Sequence, residues 1–255
     1  MGTYQHIVVR REGRRLRLRL DRPAQRNSIN PGLLAELNVA LDEAEAAEGL
    51  RSVVLEGQAG FFCTGMDFGA LVGGAARSRP EVEEAARLYY RTLRRLSLTS
   101  KIVICSVDGL AQAGGVGLLA ASDYVISAER STFRLSEALF GLLPCSVLPF
   151  LLRRTGFQKA YWLTLTAQQV DARAAHALGL VDEVDDDLDG ALRRFTLKAE
   201  RVPEKTVGRM KDYFRRLWHL SERAEDEAVA EITDLLGDEE NIRRIAEFVE
   251  HGPGR

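Results

Sequence analysis

Apolar and polar residues alternate strictly over positions 14–20, with Leu16, Leu18 and Leu20 on one side and Arg15, Arg17 and Arg19 on the other. That is the period of a strand with one buried face. After Asn30-Pro31 the period changes. Leu33, Leu34, Leu37, Ala40, Leu41 and Ala44 recur at the spacing of an amphipathic helix. Ser52–Glu56 and Ile102–Val107 are short apolar runs that predict buried strands, with a helix over 81–96 between them. The turn Ala113-Gly114-Gly115 leads into an apolar helix, and Tyr124–Ser127 predicts a third buried strand. Beyond about Thr155 the pattern is helical, over 156–165, 171–178 and 190–201, with two long helices after Pro203. Strands that alternate with helices and are apolar throughout predict an α/β fold with largely parallel pairing. The expected division is an α/β core over 1–200 and a helical region over 201–255.

Composition narrows the classes. With 255 residues, 45% hydrophobic and 28% charged, the chain has the make-up of a globular protein with a large core. The formal net charge of -2 supplies no field to recruit nucleic acid or an anionic membrane. The arginines over 14–20 are therefore expected on a solvated strand face rather than on a nucleic-acid surface. The longest apolar stretch, 142–152, is broken by Pro144 and Pro149 and is too short to span a bilayer. Cys63, Cys105 and Cys145 are odd in number and lack metal-ligand spacing, and no secretory signal is evident. Free thiols in a cytoplasmic protein are the expectation.

Two glycine-containing turns carry the chemical signal. One is Phe61-Phe62-Cys63-Thr64-Gly65-Met66-Asp67-Phe68, after a buried strand; the other runs from Val107 through Asp108-Gly109 to Ala113-Gly114-Gly115 and opens a helix. Glycine permits positive φ and close main-chain approach, and a helix N-terminus adds unpaired N–H donors for a developing negative oxygen. Either turn alone is weak evidence, since most such turns only connect. Neither GxxxxGK[ST] nor GxGxxG is present, which disfavours a phosphate cradle. His6, His176, His219 and His251 are scattered and give no support to a metal site or a serine triad. The residues alone reach an α/β enzyme with candidate backbone anion holes.

Five segments in register resemble one family. Arg22-Pro23 followed by Asn27-Ser28-Ile29 resembles the R-P-x-x-x-N-A-L opening of the crotonase (enoyl-CoA hydratase/isomerase) family. Phe62-Cys63-Thr64-Gly65-Met66-Asp67 is similar to its F-C-A-G-A-D turn, and Val107-Asp108-Gly109 with Ala113-Gly114-Gly115 to its V-N-G-x-A-x-G-G-G turn. Phe133 to Pro144 and Ala172 to Val184 resemble two further segments. The resemblance implies a spiral of ββα units, a C-terminal helical trimerisation region, and a homotrimer or hexamer. It also implies that the N–H groups of Met66 and Gly114 form an oxyanion hole for a thioester carbonyl. Asp67 is expected to brace its turn more than to react.

The departures are informative. Hydratases of the family carry a first glutamate three residues after the oxyanion glycine; here Gly117 stands there. The second family carboxylate falls on Glu137, set among Leu135, Ala138, Leu139 and Phe140, which makes it the expected catalytic residue, with a raised pKa. Within the family the resemblance is strongest to the dehydratases of polyketide β-branching, which act on 3-hydroxy-3-methylglutaryl groups held by an acyl carrier protein. It rests on Met66, Gly117 and on Ser136 through Cys145. Gly69 replaces a lysine that in many relatives reaches the CoA phosphates, as delivery by a carrier protein would allow. The implied reaction is dehydration of a 3-hydroxyacyl thioester, with no cofactor or metal beyond the phosphopantetheine or CoA that carries the acyl group. A one-glutamate Δ3,Δ2-enoyl-CoA isomerase and an inactive or RNA-binding member are the alternatives. Asp67, Tyr89, Tyr90 and Cys145 are further pocket candidates, with one of the tyrosines expected in the core. Cys63 and Cys145 are expected to pack rather than react, and His219 to lie at the surface or in packing.

Overall fold

The alternation over 14–20 folds as β2 (Arg15–Leu20), antiparallel to β1 (Ile7–Glu12). The computed structural model describes residues 4–58, 60–67, 78–218 and 222–251; Phe68, Gly69 and His219 lie outside them. Leu16, Leu18 and Leu20 are buried as the period requires. The arginine face is half-covered rather than solvated, because Arg17 pairs with Glu56, with Glu12 at 3.2 Å and with Asp189 at 2.9 Å. Helix α1 (Pro31–Ala46) starts where Asn30 accepts a hydrogen bond from the Leu33 N–H at 2.7 Å, and it buries the six apolar positions of its stripe.

From here the chain repeats strand, strand, helix. The first repeat is β3 (Ser52–Glu56), β4 (Gly60–Cys63) and α2 (Arg79–Leu98), and the second is β5 (Ile102–Val107), β6 (Gly109–Gln112) and α3 (Gly114–Ala121). The third begins with β7 (Tyr124–Ser127) and β8 (Thr132–Arg134) and continues into a 3-10 turn, Glu137–Phe140. The leading strands are neighbours in a six-stranded sheet of order β1-β2-β3-β5-β7-β10, closed by β10 (Glu183–Val184). The second strands of the repeats build another sheet of order β4-β6-β8-β9, with β9 (Val170–Asp171) antiparallel at its edge. This is the spiral of ββα units that the sequence motifs imply.

The second sheet is where the structure departs from the hydropathy reading. β4 and β6 lie inside segments that read as turns, and β8 has no counterpart in the hydropathy pattern. Each has three or four residues, and β4 and β6 open on glycine, so none offers enough alternation to register as a strand. Their order comes from pairing with each other.

After β8 come α4 (Leu148–Thr155), α5 (Phe157–Thr166), α6 (Ala172–Leu178) and α7 (Leu188–Ala199). Three helices, not two, come after Pro203: α8 (Glu204–Trp218), α9 (Glu222–Gly237) and α10 (Glu239–His251). The first is tied to the core by Lys101, whose buried ammonium donates to Glu204 Oε1 at 2.7 Å and to the Leu50 carbonyl at 2.9 Å. Helix α9 packs along α2. Its buried Glu225 accepts from Arg91 Nε at 2.7 Å and Arg87 Nη1 at 3.0 Å. Among the described residues no helix is long and apolar enough to cross a membrane.

Among the described residues Glu225 is the one buried acid on the α2–α9 contact, and Arg87 and Arg91 keep contact with water, so its removal leaves neither as a buried cation. Glu225→Ala is expected to cost about 2 kcal/mol, the worth of charge-assisted hydrogen bonds. Urea unfolding measures that loss, and hydrogen exchange should quicken along α9 while β3 and β5 remain protected.

Candidate active site

Three neighbouring parallel strands of the small sheet end together, and the chain leaves each of them toward the same place. Gly60 and Phe61 pair with Gly109 and Leu110, and Leu110, Ala111 and Gln112 pair with Thr132, Phe133 and Arg134. Met66 comes after β4, Gly114 after β6 and Glu137 after β8. All three line one cavity of about 100 Å³. The register slips between Phe61 and Cys63, and such a bulge bends the strand and re-aims the residues beyond it.

The turn that carries Met66 is clamped from below by the Arg22 to Ile29 segment. Ile29 N–H donates to the Gly65 carbonyl at 2.7 Å and the Asp67 N–H donates to the Ile29 carbonyl at 3.0 Å. In a parallel bridge those flanking bonds leave the N–H of Met66 itself directed away from Ile29. Asn27 Nδ2 donates to the Phe62 carbonyl at 3.2 Å, and Arg22 reaches the Ser28 carbonyl and Asp67 Oδ2, the latter at 2.9 Å. Asp67 is engaged by Arg22, as a bracing role requires, and contrary to its place among the pocket candidates it does not line the cavity, because that ion pair holds its carboxylate on the Arg22 side of the turn.

The second turn is built on unusual backbone. Ala113 has φ 50° and ψ -122°, a conformation that costs a residue with a Cβ about 1–3 kcal/mol. It is held by its own N–H donating to the Arg134 carbonyl at 2.8 Å, and it turns the next peptide so that α3 starts at Gly114. The N–H of a first helical residue has no partner within its helix. Gly65 makes the approach of the two turns possible: it has φ +89°, and a Cβ there would meet Ala113 Cβ at 2.6 Å and Gly114 N at 3.1 Å.

Glu137 starts the 3-10 turn after β8, anchored by the Gln112 amide donating to Ser136 Oγ at 2.9 Å. It is only 8% exposed, and its Oε2 makes no hydrogen bond within the described residues. Burial pushes its pKa up to about 7, against the opposing pull of the Glu137 and Ser136 backbone N–H groups. Among the described residues it is the one carboxylate lining the cavity. The rest of the wall is apolar: Val82, Ala85 and Ala86 from α2, Leu142 to Val147, and Ile232 and Leu236 from α9.

The two tyrosines separate. Tyr89 lines the cavity and donates to the Gly114 carbonyl at 2.6 Å, while Tyr90 turns into the core against Phe150, with ring centroids 5.6 Å apart. Adjacent helix positions point about 100° apart, so one helix cannot send both to one side. Cys145 lines the cavity, but burial pushes its thiol up to about 12, so it contributes wall rather than nucleophile. Cys63 is buried and pushed up to about 12 for the same reason. The α9 residues Ile232 and Leu236 are not signalled by the sequence; their apolar periodicity marks a packed helix but not the cavity it packs on.

Residues 14–253 match the family model described as Enoyl-CoA hydratase/isomerase. The chain is 34% identical over 250 residues to the bacillaene synthase dehydratase PksH of Bacillus subtilis, covering 98% of this chain and 96% of PksH. It is 33% identical over 172 residues to the 1,2-epoxyphenylacetyl-CoA isomerase of Escherichia coli, covering 67% of this chain and 66% of that one. The crystal structure of PksH superposes with a TM-score of 0.91 at 33% identity, covering 99% of this chain and 100% of that one. An enoyl-CoA hydratase from Mycobacterium avium superposes with a TM-score of 0.87 at 26% identity, over 97% of each chain. With strand order, turns and buried carboxylate as the motifs imply, the chain belongs to the enoyl-CoA hydratase/isomerase family.

Proposed function

We propose that this enzyme dehydrates a 3-hydroxyacyl thioester to the 2-enoyl thioester, with a 3-hydroxy-3-methylglutaryl group on an acyl carrier protein as its substrate. The observation that carries the reading is the unpartnered Oε2 of Glu137, the one carboxylate on the cavity wall among the described residues, facing the turns of Met66 and Gly114. The Met66 and Gly114 N–H groups hold the thioester oxygen while Glu137 takes the α proton. The electron pair left on the α carbon is delocalised onto that oxygen as an enolate, which fixed donors stabilise without reorganising. As the enolate collapses, the double bond forms, the 3-hydroxyl leaves with its electron pair and Glu137 returns the proton to it as water. A pKa near 7 suits both halves, since the group must accept and then donate. The dehydration and its polyketide context are supported by the likeness to PksH.

The likeness to an isomerase gives a second reading, in which the same carboxylate moves a proton between the α and γ carbons of a 3-enoyl-CoA. Turnover of the hydroxymethylglutaryl carrier substrate beside that of a 3-enoyl-CoA separates them. Dehydration of the first with no turnover of the second is the result expected; the reverse pattern overturns the proposal.

The assembly proposed is a trimer or hexamer, since Met210, Tyr213, Phe214 and Leu217 leave an exposed apolar stripe on α8. Sedimentation should find it, and a stable monomer at micromolar concentration would count against it. Glu137→Gln keeps the shape and removes the base, so kcat is expected to fall by about 10³-fold or more while thioester binding survives. Glu137→Asp draws the carboxylate back by one bond and should lie between, at about 10²-fold.

The pH dependence comes from the same burial. The free enzyme needs Glu137 ionised, so kcat/KM should fall about tenfold per pH unit below about 7 and level off above it. Stability runs the other way. A carboxyl whose folded pKa lies above its unfolded value stabilises the fold fully below the unfolded pKa, and that contribution is lost as pH rises through the folded one. Wild type should therefore lose about 3 kcal/mol between pH 4.5 and pH 7 that Glu137→Gln does not lose, read from paired urea titrations.

A further inference from the structure

Gly117 lies one turn into α3, beyond Gly114, on a helix that is buried on every side. A Cβ built on it would overlap the hydroxyl oxygen of Tyr89, and would stand 3.0 Å from Val147 Cγ2 and 3.2 Å from Leu93 Cδ1. The space that a side chain at 117 would need is already occupied. Tyr89 is 4% exposed, comes from α2, and spends its one proton on the Gly114 carbonyl at 2.6 Å. It therefore touches both ends of the first turn of α3: Gly114, which opens the helix and lines the cavity, and Gly117, whose side-chain place the hydroxyl occupies.

We propose that Tyr89 is a positioning and specificity residue: its phenol fills the place of a side chain at position 117 and braces the Gly114 peptide, so that the site works with Glu137 as its sole carboxylate. The inference rests on the one-carboxylate reading above and supplies its structural cause. Without the phenol, position 117 would leave a gap beside the Gly114 carbonyl, a polar group on which water could settle. With the phenol hydroxyl, Val147 and Leu93 all crowding the Cβ position of Gly117, no such space remains. Burial also holds the phenol well above its ordinary pKa, so it stays a neutral donor fixed on one carbonyl. Gly117 and Tyr89 form one unit: either the helix carries a side chain at 117 or the phenol sits there, and the two cannot coexist without movement.

The pairing makes a double-substitution cycle, read first as thermal unfolding of substrate-free protein. Gly117→Ala in the wild type should lower the unfolding midpoint by about 5 °C, because the new methyl meets the hydroxyl. In the Tyr89→Phe background, where that oxygen is gone, Gly117→Ala should be neutral or should raise the midpoint, since alanine is the better helix former. Equal losses in the two backgrounds would overturn the proposal. This readout involves no turnover, so it stands whether or not dehydration is the reaction.

The brace is tested on enolisation alone. 3-Methylglutaryl pantetheine has an α proton and no hydroxyl to lose, so its proton exchange into D2O reports the Glu137 and oxyanion step under either the dehydratase or the isomerase reading. Tyr89→Phe, folded at the assay temperature by circular dichroism, should lower the exchange kcat about tenfold with KM changed less than twofold, as expected when an interaction realised in the transition state is loosened. A purely structural tyrosine would shift the midpoint and leave kcat per folded molecule unchanged, and that result would sink the positioning role.

Discussion

The arrangement of this molecule depends on the parallel alignment of three short strands, β4, β6 and β8. Parallel neighbours run in one direction, so the turns after them emerge on one edge of the sheet, and ligands in sheets of this kind bind outside the carboxyl ends of the strands. Here those ends deliver Met66, Gly114 and Glu137 to one cavity. No strand of three or four residues holds its place alone. The large sheet fixes them, because each is the second member of a ββα unit whose first member, β3, β5 or β7, is held between two neighbours in the order β2-β3-β5-β7-β10. The site's precision is therefore borrowed from a core that never touches substrate.

What the core supplies is tolerance of unfavourable features. Ala113 in positive φ and a carboxylate oxygen buried without a partner each cost free energy, the second through desolvation of the charged form. Ala113 is held by the edge of the β6–β8 pairing, through its N–H on the Arg134 carbonyl, and Glu137 follows Ser136, which Gln112 of β6 holds by its amide. The desolvation that makes Glu137 costly to bury also brings its pKa near 7, into the range where one group can serve as base and then acid. Instability and reactivity are the same property of one side chain.

Periodicity reads the large sheet and most helices directly, because β3, β5 and β7 are apolar throughout and α1 carries a clean stripe. It is blind to β4, β6 and β8, whose residues carry no alternation and whose order is imposed by neighbours distant in sequence. The cavity residues divide along the same line. Met66, Gly114, Glu137, Tyr89 and Cys145 sit in or beside recognisable segments and meet in the cavity. Ile232 and Leu236 arrive from a helix far along the chain from Glu137, held there by Glu225 and the arginines of α2. Nothing local announces that contact. The pair of Tyr89 and Gly117 is half visible in the sequence: the missing side chain can be read, but what fills its space cannot.

That division has a chemical reason. The oxyanion hole proposed here, made of main-chain N–H groups, asks little of side-chain identity and much of backbone shape, so the residues that would specify it are those that permit shape: Gly65 at positive φ, the clamp of Arg22 and Asn27, and the strained Ala113. These features suit any thioester whose carbonyl must carry charge, which is why they identify a family rather than a reaction. In the proposed mechanism the fate of the enolate is decided by the few side chains that can hold a proton or a water near it. In this cavity Glu137 is the one carboxylate among the described residues, the Cys145 thiol is held protonated by burial, and the Tyr89 hydroxyl is committed to Gly114. Reaction specificity therefore rests on what surrounds the hole, and on a glycine at 117 whose space a neighbouring helix has taken.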